Sequence, residues 1–234
     1  MKSINSPYNA PSSDPFLNNS HMSPHIIYGS YRDPRKLAKI TKIFLIIDLI
    51  VSLIYGVLNI FHYTQLGSIS QQSFEELSTI DMAFLAISII MLTTYLTTVV
   101  VFSMWTYRMM KNTWIIDKRN NFITPGWAVG WYFIPFANLW KPIEAVQQIR
   151  NTIFEDSNKA RLAPWWTFWI LSSITGRISM QMKVDTIDQA QASAMFDALT
   201  SPIDILVCIF AFLMVKKLTD RQYEVYKTST VESG

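Results

Sequence analysis

One cysteine, three histidines and seven glycines in 234 residues, with only 16% of the chain charged, are the shortages that matter first. Each removes a class of protein. Cys208 alone allows neither an intrachain disulfide nor a cysteine metal cluster, and inside its apolar run it reads as a small packed hydrophobe. His21 and His25 have a metal-ligand spacing only on a helix, which Pro24 between them opposes, and His62 stands far away, so no metal or other cofactor is expected. There is no H-E-x-x-H, no phosphate-binding glycine loop and no serine, histidine and aspartate in motif context. Asp48, Asp204 and Glu144 are the acids or bases an interfacial enzyme would use, but none has a second catalytic group at a recognisable spacing, so the chain is expected not to be an enzyme. A charged fraction of 16%, against ~25% in ordinary soluble domains, leaves a half-hydrophobic chain short of solvating surface. The net charge of +3 is small, and the basic residues border apolar segments, a pattern of membrane topology and not of nucleic-acid binding.

Long apolar runs are what the chain does have. Four segments approach the ~20 residues a helix needs to cross ~30 Å of hydrocarbon, at about 43–63, 82–107, 164–182 and 199–215. Residues 1–34, rich in Ser, Asn and Pro, are expected to form a flexible tail and not a signal peptide, with the membrane domain at 35–217 and a short tail at 218–234. Arg32, Arg35, Lys36, Lys39 and Lys42 precede the first segment, whereas the following connection, 64–81, has no Lys or Arg and carries Glu75 and Glu76. That bias puts the amino terminus in the cytoplasm. Arg108, Lys111, Lys118 and Arg119, then Lys159 and Arg161, then Lys216, Lys217 and Arg221 fall on the same side if there are four spans, which places both termini in the cytoplasm. Lys183, among Asp185, Asp188 and Asp197, is the one exception.

Between the second and third segments lies a block at 123–142, PGWAVGWYFIPFANLWKP from Pro125 onward, which is apolar yet broken by prolines, glycines and Asn138. Its flanks are basic on both sides, Lys118 and Arg119 against Lys141 and Arg150. A full crossing would put one of these flanks outside, so a dip into the cytoplasmic leaflet or an interfacial position is expected. Pro135 opposes a straight helix, and two short helical pieces meeting near 134–136 would suit the block. The fold class expected is therefore an all-α integral membrane protein with four transmembrane helices and a re-entrant or interfacial broken-helix segment.

The sequence Pro125-Gly126-Trp127-Ala128-Val129-Gly130-Trp131-Tyr132-Phe133-Ile134-Pro135, continued by Ala137-Asn138-Leu139 and Lys141-Pro142, resembles the signature of a bacterial membrane family, domain of unknown function 4328. Trp105, Tyr107, Arg108 and Asn112 resemble its W-x-Y-R-x-x-x-N stretch, and Ile149-Arg150 the helix after the block. The resemblance covers about Arg35 to Lys217. It implies a bacterial multi-pass domain of four or so helices, hence the inner membrane, and brings no activity, cofactor or catalytic residue. The long Ser-rich tail and the Trp165-Trp166 pair depart from the family pattern.

Charges inside apolar segments cost about 2.5–3.5 kcal/mol each at a helix centre and need partners. Arg177 and Asp204 are expected at matching depth and hence as an ion pair, while Asp48 lies lower, within reach of Arg108 or Lys111 or facing a pocket above the block. Gly126 and Gly130, Ser52 and Gly56, and Ser172 and Gly176 have the spacing of tight helix contacts. Thr93, Thr94, Thr97 and Thr98, with Ser52 and Asn59, are read as back-bonding or helix-bridging hydroxyls and amide. Trp114, Trp127, Trp131, Trp140, Trp165, Trp166 and Trp169 are read mostly as an interfacial belt. Function is expected at the cytoplasmic face, with Trp127, Trp131, Asn138, Trp140 and Lys141 contacting lipid headgroups or a protein partner and Arg108 and Arg150 supplying charge. The partners expected are membrane lipids, other membrane proteins or a second copy, with no nucleic acid. The alternative is a small transporter or channel that uses residues 125–142 and the Arg177–Asp204 pair.

Overall fold

The computed structural model describes residues 30–68, 79–117, 123–134, 136–154 and 161–231, and among these every regular element is helical. His21, His25, Glu75, Glu76, Lys118, Arg119, Pro135 and Lys159 lie outside the described residues. The elements are α1 (Arg35–Leu66), α2 (Thr79–Ile116), α3 (Pro125–Gly130), 3-10 turns at Trp131–Phe133 and Ala137–Leu139, α4 (Lys141–Ile153), α5 (Ala163–Ser179) and α6 (Ile187–Val231).

Among the described residues three helices are long and apolar enough to cross a membrane: α1, α2 from Met82, and α6 as far as Ser229. The expected segments 43–63, 82–107 and 199–215 sit inside them, but the helices run on at both ends. Nothing stops α2, whose 38 residues contain neither Gly nor Pro. At the start of α6 the Gln189 N–H donates to Thr186 Oγ1 (3.3 Å) and Gln189 Oε1 accepts from the Asp185 N–H (3.1 Å), a cap that fixes the helix well before residue 199. Further on, Pro202 lacks the N–H that would bond the Ala198 carbonyl. Ser201 Oγ donates to that carbonyl instead (3.3 Å), so the helix continues. The segment expected at 164–182 is helical only to Ser179, and α5, with 17 residues, is about 25 Å long.

Contacts along the helices set their directions. Arg35 lies 3.6 Å over the Tyr223 ring and Tyr31 stacks on Tyr226 at 3.7 Å, so the start of α1 meets the end of α6. Asn112, near the end of α2, bonds Gln222 there as well. At the opposite end Gln191 donates to the Tyr63 carbonyl. Phe168 stacks on Phe210 and Ser172 bonds Asp204, so α5 runs antiparallel to α6, away from the basic end. Residues 123–153 begin and finish at that end: Ile123 is bonded to Trp114, and the Ile153 carbonyl accepts from Arg221 Nε (3.1 Å).

The core sits at the same basic end. Trp105, Met109 and Met110 of α2, Ala145, Val146 and Ile149 of α4, and Ala211, Val215 and Leu218 of α6 are buried together with Ala38, Leu45, Leu162 and Trp165. It is polar inside as well: Trp105 Nε1 donates to Thr219 Oγ1 (2.9 Å), Asn112 Nδ2 to Gln222 Oε1 (3.1 Å), and Gln222 Nε2 to the Met109 carbonyl (3.0 Å). These four side chains find partners in one another or in the backbone, which is what lets them stay in a dry core.

Candidate functional site

The block is fastened at its start by one residue. Ile123 donates its N–H to Gln148 Oε1 (2.9 Å), and its carbonyl accepts from Gln148 Nε2 (3.1 Å) and Trp114 Nε1 (2.9 Å), which ties α2, the block and α4 together. Thr124 caps α3 with Pro125 in the first turn, where a missing N–H costs nothing. Two short helical pieces follow on either side of 134–136, as the prolines and glycines lead one to expect. The bend is strained: Phe136 has φ 65°, a region non-glycine residues avoid at a cost of about 1–3 kcal/mol.

One side of the block faces inward through Pro125, Ala128 and Pro142, all buried. The other carries Trp127, Phe133, Ile134, Phe136, Leu139 and Trp140, of which Phe136 is 78% exposed. Trp127 stacks on Trp131 at 4.5 Å, and Lys141 Nζ lies 6.0 Å from the Trp131 ring and 2.7 Å from Glu144 Oε2. The Asn138 side-chain oxygen is enclosed with no hydrogen-bond partner among the described residues. Trp127, Trp131, Asn138, Trp140 and Lys141 all lie on this one short segment.

Several expectations need correction. Arg150 is buried, 3% exposed, with its guanidinium 5.3 Å from the Phe154 ring, around which Lys217 and Arg221 also gather. It is part of the core side of amphipathic α4 and not of the exposed face. Arg108 is half-buried on α2, and no ion pair or cation–π contact joins it to the block among the described residues. The Arg177–Asp204 ion pair does not form: Asp204 accepts from Ser172 Oγ, whereas Arg177 is exposed. Five residues separate Ser172 from Arg177, about 140° around the helix, so matching depth does not give a matching face. Asp48 is faced by the Thr94 and Thr98 hydroxyls of α2, not by Arg108 or Lys111.

The Gly126–Gly130 pair is no packing contact either. A side chain at Gly126 would meet open space and one at Gly130 only Trp127 of the same segment, whereas a side chain at Gly56 would overlap Ser201 of α6. Trp165 is buried and belongs with Trp105 and Phe102 to an aromatic core, so the tryptophans are only partly a belt. Thr93, Thr94 and Thr97 bond the carbonyls of their own helix, as their type suggests. Sequence reasoning missed Thr219 and Gln222, polar residues three apart on one face of α6 just past the apolar run. That placement was the available signal.

The family described as domain of unknown function (DUF4328) has a model that matches residues 70–220 of the chain. The match takes in α2 to most of α6 and leaves α1 outside, a narrower extent than the resemblance from Arg35 suggests. No curated protein and no solved structure matches the chain.

Proposed function

The chain belongs to the DUF4328 family, and we propose that it is a non-enzymatic protein of the bacterial inner membrane that binds lipid at the cytoplasmic interface through its central block. Four crossings are part of this reading. The basic ends of α1, α2 and α6 lie together, so the chain must pass once from that end to the other between α2 and α6, and α5, antiparallel to α6, is the element that makes the passage. Its ~25 Å falls near the lower limit of a span, within the reach of a helix flanked by interfacial tryptophans. The block leaves from and returns to the basic end, which agrees with a dip or interfacial seat in place of a fifth crossing.

The observation that carries the lipid-binding reading is the outward apolar side of the block, six large side chains from Trp127 to Trp140 beside Lys141. In water such a surface would be an aggregation liability; at the headgroup level it is an anchor, with aromatic rings in the acyl boundary and the ammonium at the phosphates. Its test is the number of phosphatidylglycerol molecules retained by the detergent-purified chain in native mass spectrometry. Trp131→Ala with Lys141→Ala should reduce retention, and unchanged retention would sink the proposal.

A further inference from the structure

A groove of about 460 Å³ runs along one face of α6 beside the end of α4, and no residue of the central block lines it. The spacing along α6 makes that face. Leu213, Lys216, Lys217, Asp220, Arg221 and Glu224 fall at steps of three, one, three, one and three, a single stripe on an α-helix, while Met214, Val215, Leu218 and Gln222 are buried on the other side. Phe154, the residue that follows α4, forms the facing wall. Leu213 is 53% exposed and Ile209, one turn earlier, 37%, and both belong to the apolar run that stops at Val215. The groove therefore lies where the apolar surface of α6 gives way to charge.

The charges along the groove do not cancel. Arg221 is engaged: its Nε donates to the Ile153 carbonyl at the end of α4, and its Nη1 to Glu224 Oε2 at 3.4 Å. Lys216 and Lys217 are exposed, and among the described residues neither is ion-paired, although Asp220 follows at the three- and four-residue spacing that ordinarily pairs opposite charges on a helix. Lys217 instead lies 5.7 Å from the Phe154 ring, on which Arg221 also converges at 5.9 Å. With Glu224 held by Arg221, two lysines stand against the single carboxylate of Asp220. The surplus is one positive charge, and it sits directly above exposed Leu213.

We propose that this groove is a second lipid site, which holds one anionic phospholipid with its phosphodiester at Lys216 and Lys217 and an acyl chain along Leu213 and Ile209. The site is separate from the central block and shares with it only the reading of these helices as membrane-embedded. Charge complementarity selects the class of lipid. A phosphodiester with an uncharged headgroup supplies the single negative charge that the lysines lack, and lysine binds phosphate as a point charge. A hydroxylated headgroup, as in phosphatidylglycerol, also offers O–H donors to Asp220, an acceptor beside the lysines. A zwitterionic lipid brings no net charge and leaves the surplus in place.

The experiment is photo-crosslinking of the full chain in vesicles of phosphatidylglycerol, phosphatidylethanolamine and phosphatidylcholine in equal parts. The photoreactive residue p-benzoylphenylalanine replaces Leu213, and the lipid adducts are identified by mass spectrometry. Phosphatidylglycerol adducts should exceed their share of the pool about fivefold. The same reporter in place of Leu92, 57% exposed on α2, should follow the pool. Lys216→Gln with Lys217→Gln should abolish the enrichment, and Lys216→Arg with Lys217→Arg should keep it, which separates charge from folding. Trp131→Ala with Lys141→Ala should leave it unchanged, so that failure of this site and failure of the block can be told apart. Adducts at 213 that follow the pool, equal enrichment at 92, or enrichment that survives the glutamine pair overturns the proposal. Enrichment of phosphatidylethanolamine overturns the anionic headgroup, and enrichment lost to excess inorganic phosphate at constant ionic strength overturns the lipid and assigns the lysines to free phosphate.

Discussion

Two stretches of the single helix α2 differ more than most pairs of helices do. From Met82 to Val100 it carries no charge and its only polar groups are hydroxyls, yet Leu85, Ile89 and Leu92 are each more than half exposed. A few turns later Trp105, Met109, Met110 and Asn112 are fully buried. The most apolar part of the molecule is not its core; the core mixes tryptophan and methionine with asparagine, glutamine and threonine. The surrounding medium explains the reversal. Lipid tails are as apolar as leucine, so exposing Leu85 to them has no penalty and burying it brings no hydrophobic gain. At the basic end the surroundings are water and headgroups, where apolar burial is favourable at about 25 cal/mol per Å² and polar groups taken inside must be paired.

The sharpest way to break this comparison is to make the same truncation on both stretches. Trp105→Ala removes a fully buried indole and its bond to Thr219, and should lower stability in detergent by about 3–5 kcal/mol. Leu92→Ala, at a site 57% exposed, should change it by under about 0.5 kcal/mol in thermal or denaturant unfolding. A large loss at Leu92 would mean that a second chain covers the open stretch.

Gln222→Leu tests the polar half of the core. It leaves Asn112 Nδ2 without its Gln222 partner and removes one of the donors to the Met109 carbonyl, which keeps Thr113 Oγ1, at an expected loss of about 1–3 kcal/mol by the same assay, while Asn112 keeps its bonds to Arg32. Gly56→Ala is comparable in size, about 1–3 kcal/mol of overpacking, because the added methyl overlaps Ser201 at the α1–α6 crossing. The equivalent Gly126→Ala should be neutral or slightly stabilising, since open space surrounds that position.

These pairs also show what the sequence could and could not disclose. Apolar length located three spanning helices, and the prolines and glycines of the block located its break at 134–136, because both signals are local. The Arg177–Asp204 pairing failed because depth along a helix was treated without angle around it; Ser172, not Arg177, points at α6. Arg150 was assigned to the surface because it is charged. Its position on α4, in line with Ala145, Val146 and Ile149, turns it inward. The continuation of α2 and α6 beyond the apolar runs was hidden because hydropathy reports the medium and not the end of a helix. The capping pair Thr186 and Gln189 was the legible sign for α6.

Sidedness sharpens the comparison without changing stability. Cysteine reporters at positions 118 and 141 in a Cys208→Ser background should label with an impermeant thiol reagent from the same side of oriented vesicles. Labelling from opposite sides would convert the block into a fifth crossing and separate the two stretches of α2 from the orientation given above.

The smallest expected effect is at Asp33, which holds Arg35 at 2.7 Å beside the start of α1. The side-chain hydrogen bond from Arg35 holds the Asp33 carboxyl below its ordinary range. A carboxylate lowered in the folded state stabilises above its unfolded value, and that contribution disappears as pH falls through the folded one. Both side chains are about half exposed, so water and salt screen most of the attraction. Asp33→Asn should therefore lower stability by no more than about 0.5 kcal/mol at neutral pH, with the difference from the parent vanishing in acid and shrinking in high salt. A loss several times larger at neutral pH would show that Asp33 and Arg35, with Tyr223 beneath the guanidinium and Tyr31 stacked on Tyr226, clamp the ends of α1 and α6 together. The packed region would then extend a full turn beyond the core, toward the tail.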